Sequence, residues 1–200
     1  MDTLLFDLGA VLIDWNPRYL YRDLFRGDDR AMERFLTEIA PPSWNHEIDA
    51  GKTFDQAVAE RSALHPDHAE MIALWRDGWE RMLRDEIPGS VELLGELRGK
   101  GYRLHALTNW SAETFPIARR RFGFLQWFES IVVSGEVGLA KPDPRIFALA
   151  IERCRLEPAR TVFIDDSPRN VEAGRNAGMH ALHFSDPQRL RAELAQLGML

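Results

Sequence analysis

Apolar positions follow two rhythms along this chain. From Asn16-Pro17, an N-cap residue followed by proline at the first helical position, to about Arg84, they recur at helical spacing. Tyr19, Leu20 and Phe25 form one face, Phe35, Leu36 and Ile39 a second, Phe54, Val58 and Leu64 a third, and Ile72, Trp75, Trp79 and Met82 a fourth. Four helices are expected, broken at Ala40-Pro41-Pro42, with no strand among them. Elsewhere the pattern alternates. Thr3 to Phe6 is a short apolar run that reads as a buried strand ending in Asp7-Leu8-Gly9, a tight turn that glycine permits. After Pro88-Gly89 follow a helix through Leu97, a strand Arg103 to Leu107, a helix from Ser111, a strand Ile131 to Val133 and a helix Pro144 to Arg153. A strand Thr161 to Ile164, a helix from Pro168, a strand His180 to Phe184 and a closing helix complete the series.

Alternating helix and strand predicts a parallel sheet covered by helices. Because the first strand stands alone, the helical stretch reads as an insertion. The expected fold is α/β: a doubly wound, Rossmann-like core of residues 1–14 and 86–200, with a small helical-bundle cap, residues 15–85, inserted after strand one. The cap's aromatic and methionine residues are expected to pack its own core.

The chain has 200 residues, enough for one main domain with an insert. Its net charge of -6 offers no overall attraction for nucleic acid or an anionic membrane, and Arg119-Arg120-Arg121 reads as the solvated end of a helix. The single cysteine, Cys154, excludes an internal disulfide, and MDTLLFDLG is too polar for a signal peptide or a span. A reducing cytoplasm fits these features.

In doubly wound sheets ligands bind beyond the carboxyl ends of the strands. The residues just past the strands here are Asp7-Leu8-Gly9, Thr108-Asn109, Lys141-Pro142 and Asp165-Asp166-Ser167. Three converging carboxylates cannot all stay ionised without a cation, and a hard divalent ion with oxygen ligands, such as Mg²⁺, resolves the conflict. Lys141, Thr108 and Asn109 supply a positive charge and donors suited to phosphoryl oxygens. Singly, each has a plainer reading: Asp166 or Ser167 as an N-cap before Pro168, Lys141-Pro142-Asp143-Pro144 as a rigid turn, and Ser111 as a helix cap. Their ordered recurrence after successive strands favours a phosphate ester as ligand.

The motifs Phe6-Asp7-Leu8-Gly9-Ala10-Val11-Leu12, Leu107-Thr108-Asn109, Ala140-Lys141-Pro142-Asp143-Pro144 and Phe163-Ile164-Asp165-Asp166-Ser167 resemble, in order, those of the haloacid dehalogenase-like superfamily. The helical insertion is similar to the small cap of its sugar-phosphate phosphatases and 2-haloacid dehalogenases. The resemblance implies that Asp7 is a nucleophile toward phosphorus, that Thr108 and Asn109 hold the phosphoryl group and that Lys141 neutralises it. It further implies that magnesium is held by Asp7, the Gly9 carbonyl and Asp166, with Asp165 directly or through water. A small phosphorylated metabolite is the implied partner, hydrolysed through an aspartyl phosphate. Lys141→Ala is then expected to hurt chemistry far more than folding.

One position departs from the pattern. Phosphatases of this superfamily usually carry a second aspartate two residues after the nucleophile, as the acid for the leaving group, and here that position is Gly9. Members resembling glucose-1-phosphate phosphatases share the Asp-Leu-Gly motif. Either the leaving group needs less help, so that aryl and anomeric phosphates outrank alkyl ones, or the cap supplies the proton. His46, with Trp15 and Trp44, lies where a cap loop could reach the mouth, and His46 is the candidate substrate contact. Two alternatives remain: a 2-haloacid dehalogenase using Asp7 on carbon without metal, disfavoured by the retained Asp165-Asp166 pair, and a non-catalytic phosphometabolite-binding protein that lost turnover at Gly9.

Overall fold

In the computed structural model, which describes residues 1–200, the chain begins with β1 (Thr3–Phe6) and β2 (Ile13–Trp15). It then enters a helical block of α1 (Arg18–Leu24), α2 (Asp29–Arg34), α3 (Pro42–Asp49), α4 (Phe54–Leu64) and α5 (Ala69–Asp77), and leaves it through β3 (Leu83–Glu86). The remainder alternates through α6 (Pro88–Gly99), β4 (Arg103–Thr108), α7 (Phe115–Arg121), β5 (Ser130–Val133), α8 (Ser134–Val137), α9 (Pro144–Arg153), β6 (Thr161–Asp165), α10 (Pro168–Asn176), β7 (His180–His183) and α11 (Pro187–Gln196).

Five strands form one parallel sheet in the order β5-β4-β1-β6-β7. Every residue of β1 and β6 is buried, as a parallel strand covered by helices on both faces requires. Leu4 sits between Leu104 and Val162, and Phe6 between Ala106 and Ile164. The sheet grows outward in both directions from β1, so the strand order reverses between β1 and β6, the place where a doubly wound sheet opens a crevice at its carboxyl edge.

The insertion differs from the expectation in two respects. It holds five α-helices rather than four, α2 running on into a π-helical turn, Phe35–Ile39. It is also bounded by strands: β2 and β3 pair antiparallel, Ile13 opposite Glu86 and Trp15 opposite Leu83. Helix α5 stops at Asp77, a 3₁₀ turn takes up Trp79–Met82, and Leu83 onward is extended. The ribbon is invisible to periodicity because β3 buries only Leu83 and has no alternating face. It exists because the chain's entry to the block meets its exit.

Helical block and sheet are not separate oily droplets. One hydrophobic cluster runs from Leu4 and Phe6 of the sheet to Phe35, Trp44, Ile48 and Trp75 of the insertion. Where the turn after α3 meets α8 the backbones touch: a Cβ on Gly51, which has φ +107, would lie 3.3 Å from the Gly138 Cα. No helix is long and apolar enough to cross a membrane.

Candidate active site

The crevice between β1 and β6 receives the predicted acids. Asp7 leaves β1 while its backbone N–H still donates to the Ile164 carbonyl at 2.8 Å, so its carboxylate is held by the sheet rather than by a loop. Oxygen ligand atoms of Asp7, Asp165 and Asp166 lie within 4.8 Å of one another. Between two of them sits Lys141, its ammonium wholly buried, with Nζ 3.0 Å from Asp7 Oδ2 and 2.6 Å from Asp165 Oδ2.

Both oxygens of Asp165 are engaged. Its second oxygen, Oδ1, accepts the Ser167 N–H and the Asn170 side-chain amide, both at 2.9 Å. Neither Asp166 nor Ser167 caps α10 with its side chain. Asp143, by contrast, does cap α9, accepting the Arg145 N–H.

Burial is the largest influence on Asp7 and, together with Asp165 and Asp166, pushes its carboxyl up to about 8 against the opposing pull of Lys141. Burial, then Asp165, also raises Asp166. Burial opposes the charge on Lys141, but Asp165 and Asp7 outweigh it and hold the ammonium above its ordinary value. Three acids thus share one internal cation, a set with charge to spare for a divalent ion.

Asn109 is engaged differently from the expectation. Its Oδ1 accepts the Lys141 N–H at 2.8 Å and its Nδ2 donates to the Lys141 carbonyl at 2.9 Å. The amide therefore clamps the backbone that presents Lys141, keeping its second Nδ2 N–H and the main-chain groups of residue 109 for a ligand. Thr108, at the end of β4, is buried and its hydroxyl has no hydrogen-bond partner within the protein.

A cavity of about 200 Å³ opens above Asp7 and Asp166. Asp7, Gly9, Asn109 and Trp110 line it from the sheet side, and Trp15, Asn45, Asp49 and Trp79 from the ribbon and the helical block. The buried indole N–H of Trp15 also lacks a partner. Gly9 does not have a left-handed backbone; Ala10 does, with φ 57, and a Cβ on Gly9 would meet nothing within 4 Å. The turn tolerates a side chain at residue 9, so its absence leaves space rather than relieving strain.

His46 is exposed and does not line the cavity. Trp44 is packed, its indole donating to the Ala57 carbonyl at 3.3 Å. Trp15 does line it, and so do two polar cap residues that the sequence reading does not single out, Asn45 and Asp49. A signal for them exists: once Pro41-Pro42 starts a helix, Trp44 and Ile48 mark the buried stripe, and at 100° per residue Asn45 and Asp49 share its flank while His46 falls behind. His46→Ala is accordingly expected to leave kcat/KM within about twofold of wild type, the range of an ordinary surface change; a steady-state comparison on one ester checks this.

A family model for haloacid dehalogenase-like hydrolases matches residues 1–178, and the chain belongs to that family. It is 28% identical to pyrophosphatase PpaX of Bacillus velezensis over 185 residues, 89% of this chain and 80% of that one. It is 26% identical to a phosphorylated carbohydrates phosphatase of Thermotoga maritima over 189 residues, 92% of this chain and 84% of that one. Among solved structures it is similar to a family enzyme from Bacteroides thetaiotaomicron, with a TM-score of 0.68, 24% identity, and 93% of this chain and 95% of that chain covered.

Proposed function

We propose that this hydrolase is a magnesium-dependent phosphatase of small phosphate monoesters, sugar phosphates or similar metabolites, acting through an aspartyl phosphate on Asp7. The observation that carries the reading is the three-acid cluster held around a single buried lysine. Relatives support the same chemistry: the Thermotoga protein is a phosphatase of phosphorylated carbohydrates, and the Bacteroides enzyme was crystallised with magnesium and inorganic phosphate.

Asp7, Asp166 and the Gly9 carbonyl are the groups that would hold the metal, Asp165 being occupied by Lys141, Ser167 and Asn170. A bound divalent ion supplies neutralisation of the phosphoryl charge that would otherwise repel a carboxylate. Lys141 stays beside Asp7 and offers a second positive charge to the phosphoryl oxygens, with the Thr108 hydroxyl and main-chain groups near Asn109 as donors. Asp7 attacks phosphorus, the leaving oxygen departs as an alcohol, and water then cleaves the acyl phosphate to free Asp7 and release phosphate.

The test is phosphate release from an aryl phosphate with Mg²⁺, set against chloride release from 2-chloropropionate in excess chelator. Phosphate alone is expected. Chloride release in chelator would replace the reading by a dehalogenase, and release of neither by a binding protein. Asp166→Ala is expected to raise the half-saturating Mg²⁺ concentration by about 10- to 100-fold or more, since lost support around a metal already costs that much. A metal titration of both proteins measures it.

A further inference from the structure

Gly9 leaves the reaction without the acid that its neighbourhood would need, and the cavity contains one candidate to supply it. Asp49, at the end of α3, faces the cavity that Asp7 lines from the opposite side. We propose that Asp49 is the general acid and base of the reaction, delivered to the site by the cap. The inference rests on the phosphatase reading above and concerns how that same site moves its proton.

The side chain is aimed by a relay. The Trp75 indole can only donate, and it donates to Asn45 Oδ1 at 3.0 Å, which turns the amide so that Nδ2 donates to Asp49 Oδ2 at 2.8 Å. From the sheet side, the Ser111 backbone N–H favours the charged form of the same carboxyl. Asn45 is thus a positioning residue, and Asp49 is fixed by both halves of the molecule. Its own carbonyl accepts the Ser134 hydroxyl at 2.5 Å, while the Ser134 oxygen accepts the Trp110 N–H at 2.9 Å. Close by, Glu113 on the sheet side accepts the Phe54 N–H at 2.8 Å. These contacts seat the end of α3 over the crevice.

The electrostatics suit the role. Burial pushes the Asp49 carboxyl up to about 7, opposed by the Ser111 N–H and the Lys141 charge. A proton held near neutrality can be given and taken back in one cycle. In the first half, the Asp7 oxygen bonds to phosphorus, the bond to the leaving oxygen breaks, and the Asp49 proton passes to that oxygen. In the second, the Asp49 carboxylate takes a proton from the water that attacks the acyl phosphate, restoring both acids and releasing phosphate.

With Asp49 in place, the expected preference for activated esters is weak in the wild type and appears only when the acid is removed. The test is kcat/KM across a series of phosphate esters from 2,4-dinitrophenyl to primary alkyl, for wild type and Asp49→Asn, with thermal midpoints taken on the same samples. The variant is expected to lose about 10²- to 10⁴-fold on alkyl esters and under about tenfold on the dinitrophenyl ester. On the latter it is also expected to show a burst of dinitrophenolate stoichiometric with enzyme, because cleavage of the acyl phosphate has lost its base. Asp49→Ser, equally without an acidic proton to give, serves the same comparison if the amide variant is recovered unfolded. A uniform loss across the series, or none, overturns the proposal while the phosphatase reading stands. A wild type inactive on every ester removes that reading itself.

Discussion

Asp7→Asn is expected to lower turnover by more than about 10⁴-fold, the scale seen when a covalent nucleophile is removed. The reason is specific to the atom: the amide keeps the shape, and its one oxygen can accept from the Leu8 N–H or the Lys141 ammonium though not both, but it has no anionic oxygen for phosphorus. Stability should move the other way. In the metal-free protein, burial and two neighbouring acids lift Asp7 from 3.8 to about 8, so the folded chain binds its proton more tightly than the unfolded chain does. The stability that goes with that proton is complete below pH 3.8 and is lost as the pH rises through about 8. Asparagine does not titrate. In chelator, its midpoint is therefore expected to fall less between those pH values than that of the wild type. Turnover within tenfold of wild type would sink the assignment of Asp7.

Lys141→Ala is expected to damage both chemistry and fold. Losing one preorganised charge at the transition state costs about 10²- to 10³-fold in kcat. The burial of the ammonium revises the expectation that folding would be spared. Removing it leaves Asp7 and Asp165 facing each other with no internal cation, and breaking a buried pair costs about 3–5 kcal/mol. The loss of midpoint should be largest in chelator and smaller with Mg²⁺, since a divalent ion offsets the same repulsion. Parallel melts in the two buffers, alongside kcat, check both halves; an unchanged midpoint in chelator would show that the three acids do not depend on this lysine.

The core was readable because its signals are local. Uninterrupted apolar runs and helix starts at proline predict the five strands of the parallel sheet and the longer helices around it within a few residues, though not the short α8, and the acids just past the strands land in the crevice. What escaped depends on meetings between distant segments. The pairing of residues 13–15 with 83–86 has no period of its own. The direction of Asn109 is set by the Lys141 backbone, 32 positions away. Asp49 is inconspicuous in sequence beside His46 because a histidine is the commoner acid and base, whereas a carboxyl gains that role only through burial that sequence does not display.

The ribbon at the neck of the insertion ties its two crossings together. Ile13–Trp15 and Leu83–Glu86 pair with each other rather than joining the five-stranded sheet, so the chain enters and leaves the helical block through one seam. The block meets the core again at a second place, where the Ser134 hydroxyl donates to the Asp49 carbonyl. A block fastened at a neck and at a berth has its tilt over the crevice set by both, and a change at either one shifts Asp49 against Asp7.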